Sequence, residues 1–239
     1  MPVAHTVSAY DDELRWLVRR LSEMGGIGEG MVADSVQALV NADMALAQRV
    51  ISEDLLLDVA EREIYDRAVL IIAKRQPMAQ DLREIIGSIR IASDLERVGD
   101  LGKNIAKRVI AVHTMAQPKK LVRGLEHLAE LALTQLKEVL DAFATRSPEL
   151  ATSIRERDEE IDAIYTSLFR ELLTYMMEDP RNITACTHLL FCAKNIERIG
   201  DHATNIAETV YYVATGDQMS SDRPKDDDTA NVIATSPGD

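Results

Sequence analysis

Residues 94–106 read DLERVGDLGKNIA, and residues 195–207 read NIERIGDHATNIA. The two stretches are identical at seven of thirteen positions, where chance would give about one. One copy lies in each half of the chain. An internal repeat of this kind predicts a duplicated structural unit, so we expect the protein to be built from two related halves.

Each copy of the repeat has the apolar spacing of an α-helix. The apolar stripe consists of Leu95, Val98, Leu101 and Ile105 in the first copy and of Ile196, Ile199 and Ile206 in the second. The acidic pairs Glu96/Asp100 and Glu197/Asp201 lie roughly on the opposite side of their helices. We therefore expect these carboxylates to face away from the core.

Helical spacing of apolar residues continues outward from the repeat along most of the chain, without sustained strand-like alternation. The residue before a proline is disfavoured in a helix, so X-Pro pairs mark helix ends. Such pairs occur at residues 76–77, 117–118, 147–148 and 179–180. Residues 25–30 (GGIGEG) predict a loosened or bent segment within the first helix, because each glycine costs ~1 kcal/mol there.

These breaks divide the chain into three helices up to about Val112 and three more up to about Thr215. The sequence predicts an all-α fold of two tandem, related three-helix bundles, which span residues 1–115 and 116–216. Residues 217–239 are polar and rich in Asp, Ser and Pro, and predict a disordered acidic tail.

The composition argues against several classes of partner and location. The 239 residues carry a net charge of −13, whereas nucleic-acid binding needs an excess of Lys and Arg. No stretch reaches the ~18 apolar residues of a membrane-spanning helix, and residues 1–10 lack the apolar core of a signal peptide. Cys186 and Cys192 lack metal-ligand spacing and are interpreted as buried, reduced thiols. We expect a cytoplasmic protein without nucleic-acid binding or membrane insertion.

The ExxxD spacing in both repeats leaves two interpretations open. Glu and Asp four residues apart lie one helical turn apart, with their Cβ atoms ~6 Å from each other. One interpretation is a solvated face on which Arg97 and Arg198 relieve the repulsion between the carboxylates. The other is half of an oxygen-rich site for a cation.

A cation site needs further ligands from a second helix. In the second half, Asp158 and Asp162 form a DxxxD pair ahead of the repeat. Alignment of the first half on a shared Glu-Ile pair places Glu61 opposite Asp158 but Tyr65 opposite Asp162. The first site is then one carboxylate short, unless Asp66 substitutes.

Several motifs resemble the PhoU family. They are the two ERxGD…NIA helices and residues 71–77 (IIAKRQP), 175–179 (YMMED) and 188–202 (HLLFCAKNIERIGDH). The resemblance covers about residues 5–216. It implies a cytoplasmic, commonly dimeric protein of two three-helix bundles that regulates phosphate uptake. It also implies contacts with the ATP-binding subunit of the phosphate ABC transporter and with the sensor kinase of phosphate starvation, whose signalling is kept off when phosphate is plentiful.

The resemblance further implies metal ligands, since some family members bind iron clusters or other metals through paired E/DxxxD motifs. Carried over residue by residue, the second-half ligands are Asp158, Asp162, Glu197 and Asp201, and the first-half ligands are Glu61, Glu96 and Asp100. Tyr65 departs from the motif. The candidate cofactors are iron, zinc or another divalent cation.

The main alternative to a regulator is a helical-bundle metal enzyme or metal-storage protein. Di-metal bundles use Glu-x-x-His motifs, and no Glu stands three residues before any histidine of this chain. The motifs GxSxG and HExxH of nucleophilic and metal-dependent hydrolases are missing as well. The sequence therefore predicts a regulator that is not an enzyme.

Overall fold

The computed structural model describes residues 8–115 and 117–219, and within these ranges every regular element is a helix. The elements are α1 (Ser8–Asn41), α2 (Met44–Arg75), α3 (Ala79–Val112), α4 (Lys119–Thr145), α5 (Pro148–Glu156), α6 (Asp158–Glu178), a 3-10 turn (Pro180–Asn182) and α7 (Ile183–Thr215). None of these helices is long and apolar enough to cross a membrane.

The helices form two related bundles, which confirms the predicted fold class. In the first half, α1, α2 and α3 pack against one another. In the second half, α4 and α7 pack together with α5 and α6, which follow each other in the place that α2 takes in the first half. The α5–α6 break falls at Arg157, immediately before the predicted ligand Asp158.

The helices end close to the prolines that mark the breaks in the sequence. Asp43 caps α2, since its side chain accepts a hydrogen bond from the Leu46 amide at 3.0 Å. Ser147 caps α5 in the same way, with the Leu150 amide as donor at 3.2 Å. Side-chain caps satisfy amides that lack a partner within the first turn. The four helix breaks predicted at the X-Pro pairs are thus confirmed.

The glycine-rich run 25–30 does not interrupt α1, so the predicted loosening is wrong. A Cβ on Gly25 would lie 2.5 Å from Leu140 Cδ1 of α4, and one on Gly28 would lie 3.7 Å from Val98 Cγ1 of α3. Close packing of α1 against α4 therefore accounts for Gly25 and offsets its low helix propensity. The contact at Gly28 is an ordinary one, and a Cβ on Gly26 or Gly30 would meet nothing within 4 Å.

Helices α3 and α7 lie antiparallel at the centre of the molecule and join the two halves. Successive contacts between them are Gly87 with Val213, Asp94 with His202 and Arg108 with His188. Apolar residues of both halves belong to one continuous core, which includes the buried, unpaired thiols Cys186 and Cys192 as predicted. From residue 220 on, the predicted tail lies outside the described residues.

Candidate functional site

The first acidic cluster lies between α2 and α3. It comprises Asp54, Asp58 and Glu61 on α2 and Glu96 and Asp100 on α3. The Lys103 ammonium lies between the two helices, because its Nζ donates to Asp54 Oδ2 at 2.5 Å and to Asp100 Oδ1 at 2.6 Å. The side chains of all three residues are less than one-third exposed.

Carboxylates from both helices act on one another within this cluster. Burial and then the charge of Asp100 raise the pKa of Glu96, and the charges of Glu61 and Asp58 add to this shift. Burial acts in the same direction on Asp100, but the hydrogen bond and charge of Lys103 oppose it and lower the pKa of Asp100 below its ordinary value. The lysine therefore favours the charged form of Asp100.

The second acidic cluster lies between α6 and α7 and is more deeply buried. It comprises Asp158 and Asp162 on α6 and Glu197 and Asp201 on α7. Asp158 is 3% exposed, Glu197 is 5% and Asp162 is 6%. Thr204, which is fully buried on α7, donates a hydrogen bond to Asp158 Oδ1 at 2.9 Å. Because Asp158 also begins α6, the partial positive charge at the helix start favours its carboxylate.

Glu197 is only partly satisfied within the second cluster. Its Oε1 accepts a hydrogen bond from Lys194 Nζ at 2.8 Å, whereas its buried Oε2 has no hydrogen-bond partner. Burial raises the pKa of Glu197 to about 7. The hydrogen bond and charge of Lys194 oppose this shift, and the charges of Asp201 and Asp162 increase it.

The expectation that the acidic pairs face away from the core is wrong for the second half and only partly right for the first. Glu197 lies opposite the Ile196/Ile199 stripe, as the periodicity predicts. However, α7 packs against α3, α4, α5 and α6, so most of its circumference is covered. One apolar stripe indicates one buried side of a helix and does not reveal how many neighbours surround it.

The arginine of the repeat contacts the acidic pair, as predicted, in only one of the two copies. Arg97 Nε lies 3.4 Å from Glu96 Oε2, and Arg97 Nη1 donates to Asp100 Oδ2 at 3.2 Å, so its neutralising role is confirmed. In the second copy Arg198 is exposed, and Glu197 is contacted by Lys194 instead.

The contacts also correct the alignment of α2 with α6. Lys103 and Thr204 occupy the same position of the repeat, and they bind Asp54 and Asp158 respectively. Asp54 is therefore the counterpart of Asp158. The alignment on the Glu-Ile pair, which sets Glu61 opposite Asp158, is wrong. The DxxxD spacing of residues 54–58 (DLLLD) is the signal in the sequence that marks this pair. Tyr65, at 53% exposure, is not a replaced ligand.

Donor chemistry in the second cluster fits a divalent cation, which binds carboxylate oxygens, and Glu197 Oε2 is a buried acceptor without a partner. In residues 8–115 and 117–219, however, no three His, Cys, Asp or Glu side chains are placed to hold a metal ion. Binding would require Lys194 to leave Glu197 and the carboxylates to reorient. Metal ligation by either cluster stays a prediction.

Each half of the chain matches the same family model. The PhoU domain matches residues 21–109 and, a second time, residues 125–210. The chain belongs to the PhoU family. Each PhoU match contains one complete acidic cluster, so the clusters are equivalent features of the two PhoU domains, and the resemblance seen in the sequence motifs is confirmed.

Bacterial relatives are similar to this chain over almost their full length. A protein of Rhizobium meliloti named phosphate-specific transport system accessory protein PhoU homolog is 75% identical over 232 residues, which cover 97% of this chain and 98% of the relative. A protein of the same name from Caulobacter vibrioides is 48% identical over 221 residues, which cover 92% of this chain and 96% of the relative.

Solved PhoU structures have the same fold. The crystal structure of PhoU from Pseudomonas aeruginosa has a TM-score of 0.84 at 39% identity, and it covers 87% of this chain and 100% of its own. The phosphate transport system regulatory protein PhoU from Streptococcus pneumoniae has a TM-score of 0.82 at 28% identity, with 88% and 99% coverage.

Proposed function

We propose that this chain is a regulatory accessory protein of phosphate-specific transport that keeps phosphate-starvation signalling off while phosphate is plentiful. One observation carries the proposal. The chain is 75% identical, over almost the whole of both chains, to a protein named as the accessory protein of that transport system. Two PhoU domains in tandem, each with its acidic cluster, support the same assignment.

The mechanism that we propose is mass action through protein contacts rather than catalysis. A regulator that binds one conformation of the transporter's ATP-binding subunit or of the sensor kinase raises the population of that conformation. The second acidic cluster is too buried to serve as a contact surface for these partners. The outer side of α2 offers a better one, because Leu55, Val59, Val69 and Leu70 are between 41% and 65% exposed there. Exposed apolar patches commonly mark protein interaction sites.

A binding experiment with purified proteins tests this mechanism. The tagged chain should retain the ATP-binding subunit of the phosphate transporter, and Leu55→Glu should weaken that retention. Met177→Glu is the matched control, since Met177 is 85% exposed on α6, away from the α2 surface. If the chain retains neither the ATP-binding subunit nor the sensor kinase, regulation by direct contact is refuted.

We further propose that the protein works in the cytoplasm as a homodimer, in keeping with the family. Light scattering of the purified chain tests the dimer, and a monomer at micromolar concentration would contradict it.

Metal binding is a second candidate function, and the partnerless Glu197 Oε2 inside an acidic cluster favours it. A buried carboxylate oxygen without a donor is costly, and a divalent cation coordinated by Glu197, Asp201, Asp158 and Asp162 would satisfy it. Iron, zinc or manganese could fill this role on donor type. Glu61, Glu96 and Asp100 remain the ligands proposed for the first half, together with Asp54 and Asp58.

A further inference from the structure

We propose that a second copy of this chain binds along the outer side of α2, so that the two α2 helices pack antiparallel as a short coiled coil. The proposal rests on the homodimer proposed above and adds the interface that forms it. The ATP-binding subunit is proposed to bind the same side of α2, so it would replace the second copy rather than join it.

The outer side of α2 has the residue spacing of a coiled-coil seam. Six exposed residues follow one another along it at alternating spacings of four and three, namely Leu55, Val59, Arg62, Asp66, Val69 and Ala73. The opposite side of the helix faces its own bundle, because every seventh residue there is buried: Val50, Leu57, Ile64 and Ile71. Apolar residues at this alternating spacing favour packing against a second helix at about 20°. The bundle therefore leaves one side of α2 suited to a partner helix.

The two charged residues at the middle of the seam determine the direction of the second helix. In a parallel pair, Arg62 would face Arg62 of the second copy, and Asp66 would face Asp66. In an antiparallel pair centred on Ile64, Arg62 faces Asp66 of the second copy, and two-fold symmetry makes this ion pair occur twice. Like charges that face each other across an interface are costly. The charges therefore favour the antiparallel pair.

The apolar residues of the seam match in the same antiparallel arrangement. Val59 faces Val69 of the second copy, and Leu55 faces Ala73, so a large side chain meets a small one at each end. The seam from Leu55 to Ala73 is about 27 Å long. Apolar contacts thus lie on both sides of the two ion pairs and remove exposed hydrophobic surface from water.

Arg62 and Asp66 also distinguish a second copy from other partners. Both are exposed, and in the part of the chain that the structure describes neither forms an ion pair. A second copy supplies the opposite charge to each, whereas a purely apolar partner would bury both charges without compensation. Glu63, beside the seam, would approach Glu63 of the second copy, but Arg20 of its own chain contacts it at 2.8 Å and offsets that repulsion.

The corresponding helix of the second half does not have this seam. On the corrected alignment of α2 with α6, Glu159 and Ala163 take the places of Leu55 and Val59. A glutamate and an alanine offer a partner helix little apolar surface. The interface is thus a property of α2 and not of the repeated fold.

Sedimentation equilibrium of the full chain and of three charge variants tests the proposal. Arg62→Asp and Asp66→Arg each place two like-charge pairs at the centre of the interface, so each should raise the dimer dissociation constant about a hundredfold. The double variant Arg62→Asp/Asp66→Arg exchanges the charges and restores both ion pairs. Its dissociation constant should return to within about tenfold of that of the unaltered chain, and failure to recover would refute the antiparallel pairing.

Arg170→Asp is the matched control, because it makes the same change of charge at the place of α6 that corresponds to Asp66. It should leave the dissociation constant unchanged, and circular dichroism establishes that each variant is folded. A dimer that no variant at Arg62 or Asp66 weakens would overturn this interface but not the homodimer, whereas a monomeric unaltered chain would overturn both. Regulation is measured through partner binding and gene expression, so its failure is distinguishable from either result.

A chemical cross-link tests the direction of the helices independently. The two copies of Tyr65 lie on the same flank of the seam near the two-fold axis, so a short bismaleimide should join Tyr65→Cys into a covalent dimer. Leu55→Cys should not be joined, since the two copies of that residue lie about 27 Å apart. The unaltered chain measures the background from Cys186 and Cys192, which are buried. Efficient cross-linking through position 55 would show a parallel pair and contradict the proposal.

Discussion

Gly99 shows at the scale of one residue why the repeat needs a glycine in mid-helix. A Cβ at this position would overlap Leu57 Cδ1 of α2, and it would lie 3.6 Å from Met31 Sδ of α1. Glycine lowers helix stability, but here it allows α3 to approach two neighbours closely. Gly200 has the same role in α7, where a Cβ would lie 2.9 Å from Ile161 Cδ1.

We predict that Gly99→Ala lowers the free energy of unfolding by about 1–3 kcal/mol, because Leu57 is buried and must shift within a packed core. The matched control is Gly26→Ala, since a Cβ on Gly26 meets nothing within 4 Å. That variant should gain up to about 1 kcal/mol from better helix propensity. Urea denaturation measures both, and a Gly99→Ala protein as stable as the unaltered chain would contradict the packing argument.

Glu197 makes a pH-dependent contribution to stability. Its pKa is raised from the ordinary 4.5 to about 7 on folding, so the folded state binds the proton more tightly than the unfolded state does. The resulting stabilisation is fully present below pH 4.5 and is lost as the pH rises through about 7.

We therefore predict that the metal-free chain loses about 2–3 kcal/mol of stability between about pH 5 and about pH 8, relative to Glu197→Gln. Urea denaturation in the presence of a chelator at both pH values measures the difference. Parallel behaviour of the two proteins would show that Glu197 is not buried as described.

At the scale of the element, the sequence predicts which segments are helices. It is less informative about which sides of each helix are buried by neighbouring helices. The X-Pro pairs and the apolar spacing predict the ends of α2, α4 and α6, because both depend only on residues that are close together in the chain. The burial of Glu197 depends on how many helices surround α7, which is a property of packing. Likewise, the equivalence of Asp54 and Asp158 emerged only from their contacts with Lys103 and Thr204.

One ion pair links α3 to Arg146, the residue that follows α4. Arg146 Nη2 donates to both carboxylate oxygens of Glu84 at 2.7 Å, and the Glu84 side chain is only 4% exposed. Loss of the arginine would leave a buried carboxylate without this partner. Arg146 also has a φ of 52°, so Asn, which tolerates that conformation, is the appropriate replacement.

We predict that Arg146→Asn destabilises the fold by about 3 kcal/mol, measured by urea denaturation. The double variant with Glu84→Gln should recover part of this loss, because the buried charge is then gone. If the two substitutions are additive, the ion pair does not couple α3 to α4.

At the scale of the whole molecule, the repeat and the family motifs were sufficient to predict an all-helical fold with two related bundles. They did not reveal that α3 and α7 pack antiparallel and merge the two cores, since the repeat describes each half separately. The sequence shows that Lys103 and Thr204 differ at matching positions of the repeat. Only the distances to Asp54 and Asp100 show that Lys103 connects α2 to α3.

The shared core has a thermodynamic consequence. Because α3 and α7 bury their apolar stripes partly against each other, unfolding one half exposes surface of the other. We predict a single calorimetric transition whose van't Hoff and calorimetric enthalpies agree. Two resolved transitions would show that the halves fold as independent domains.

Repression of phosphate-starvation genes in phosphate-rich medium tests the proposed function most directly. The measurement uses a starvation-promoter reporter in cells that lack the gene for this chain and in the same cells with the gene restored. We predict high reporter activity without the chain and low activity with it. Equal reporter activity in the two strains would contradict its role as a negative regulator of phosphate signalling.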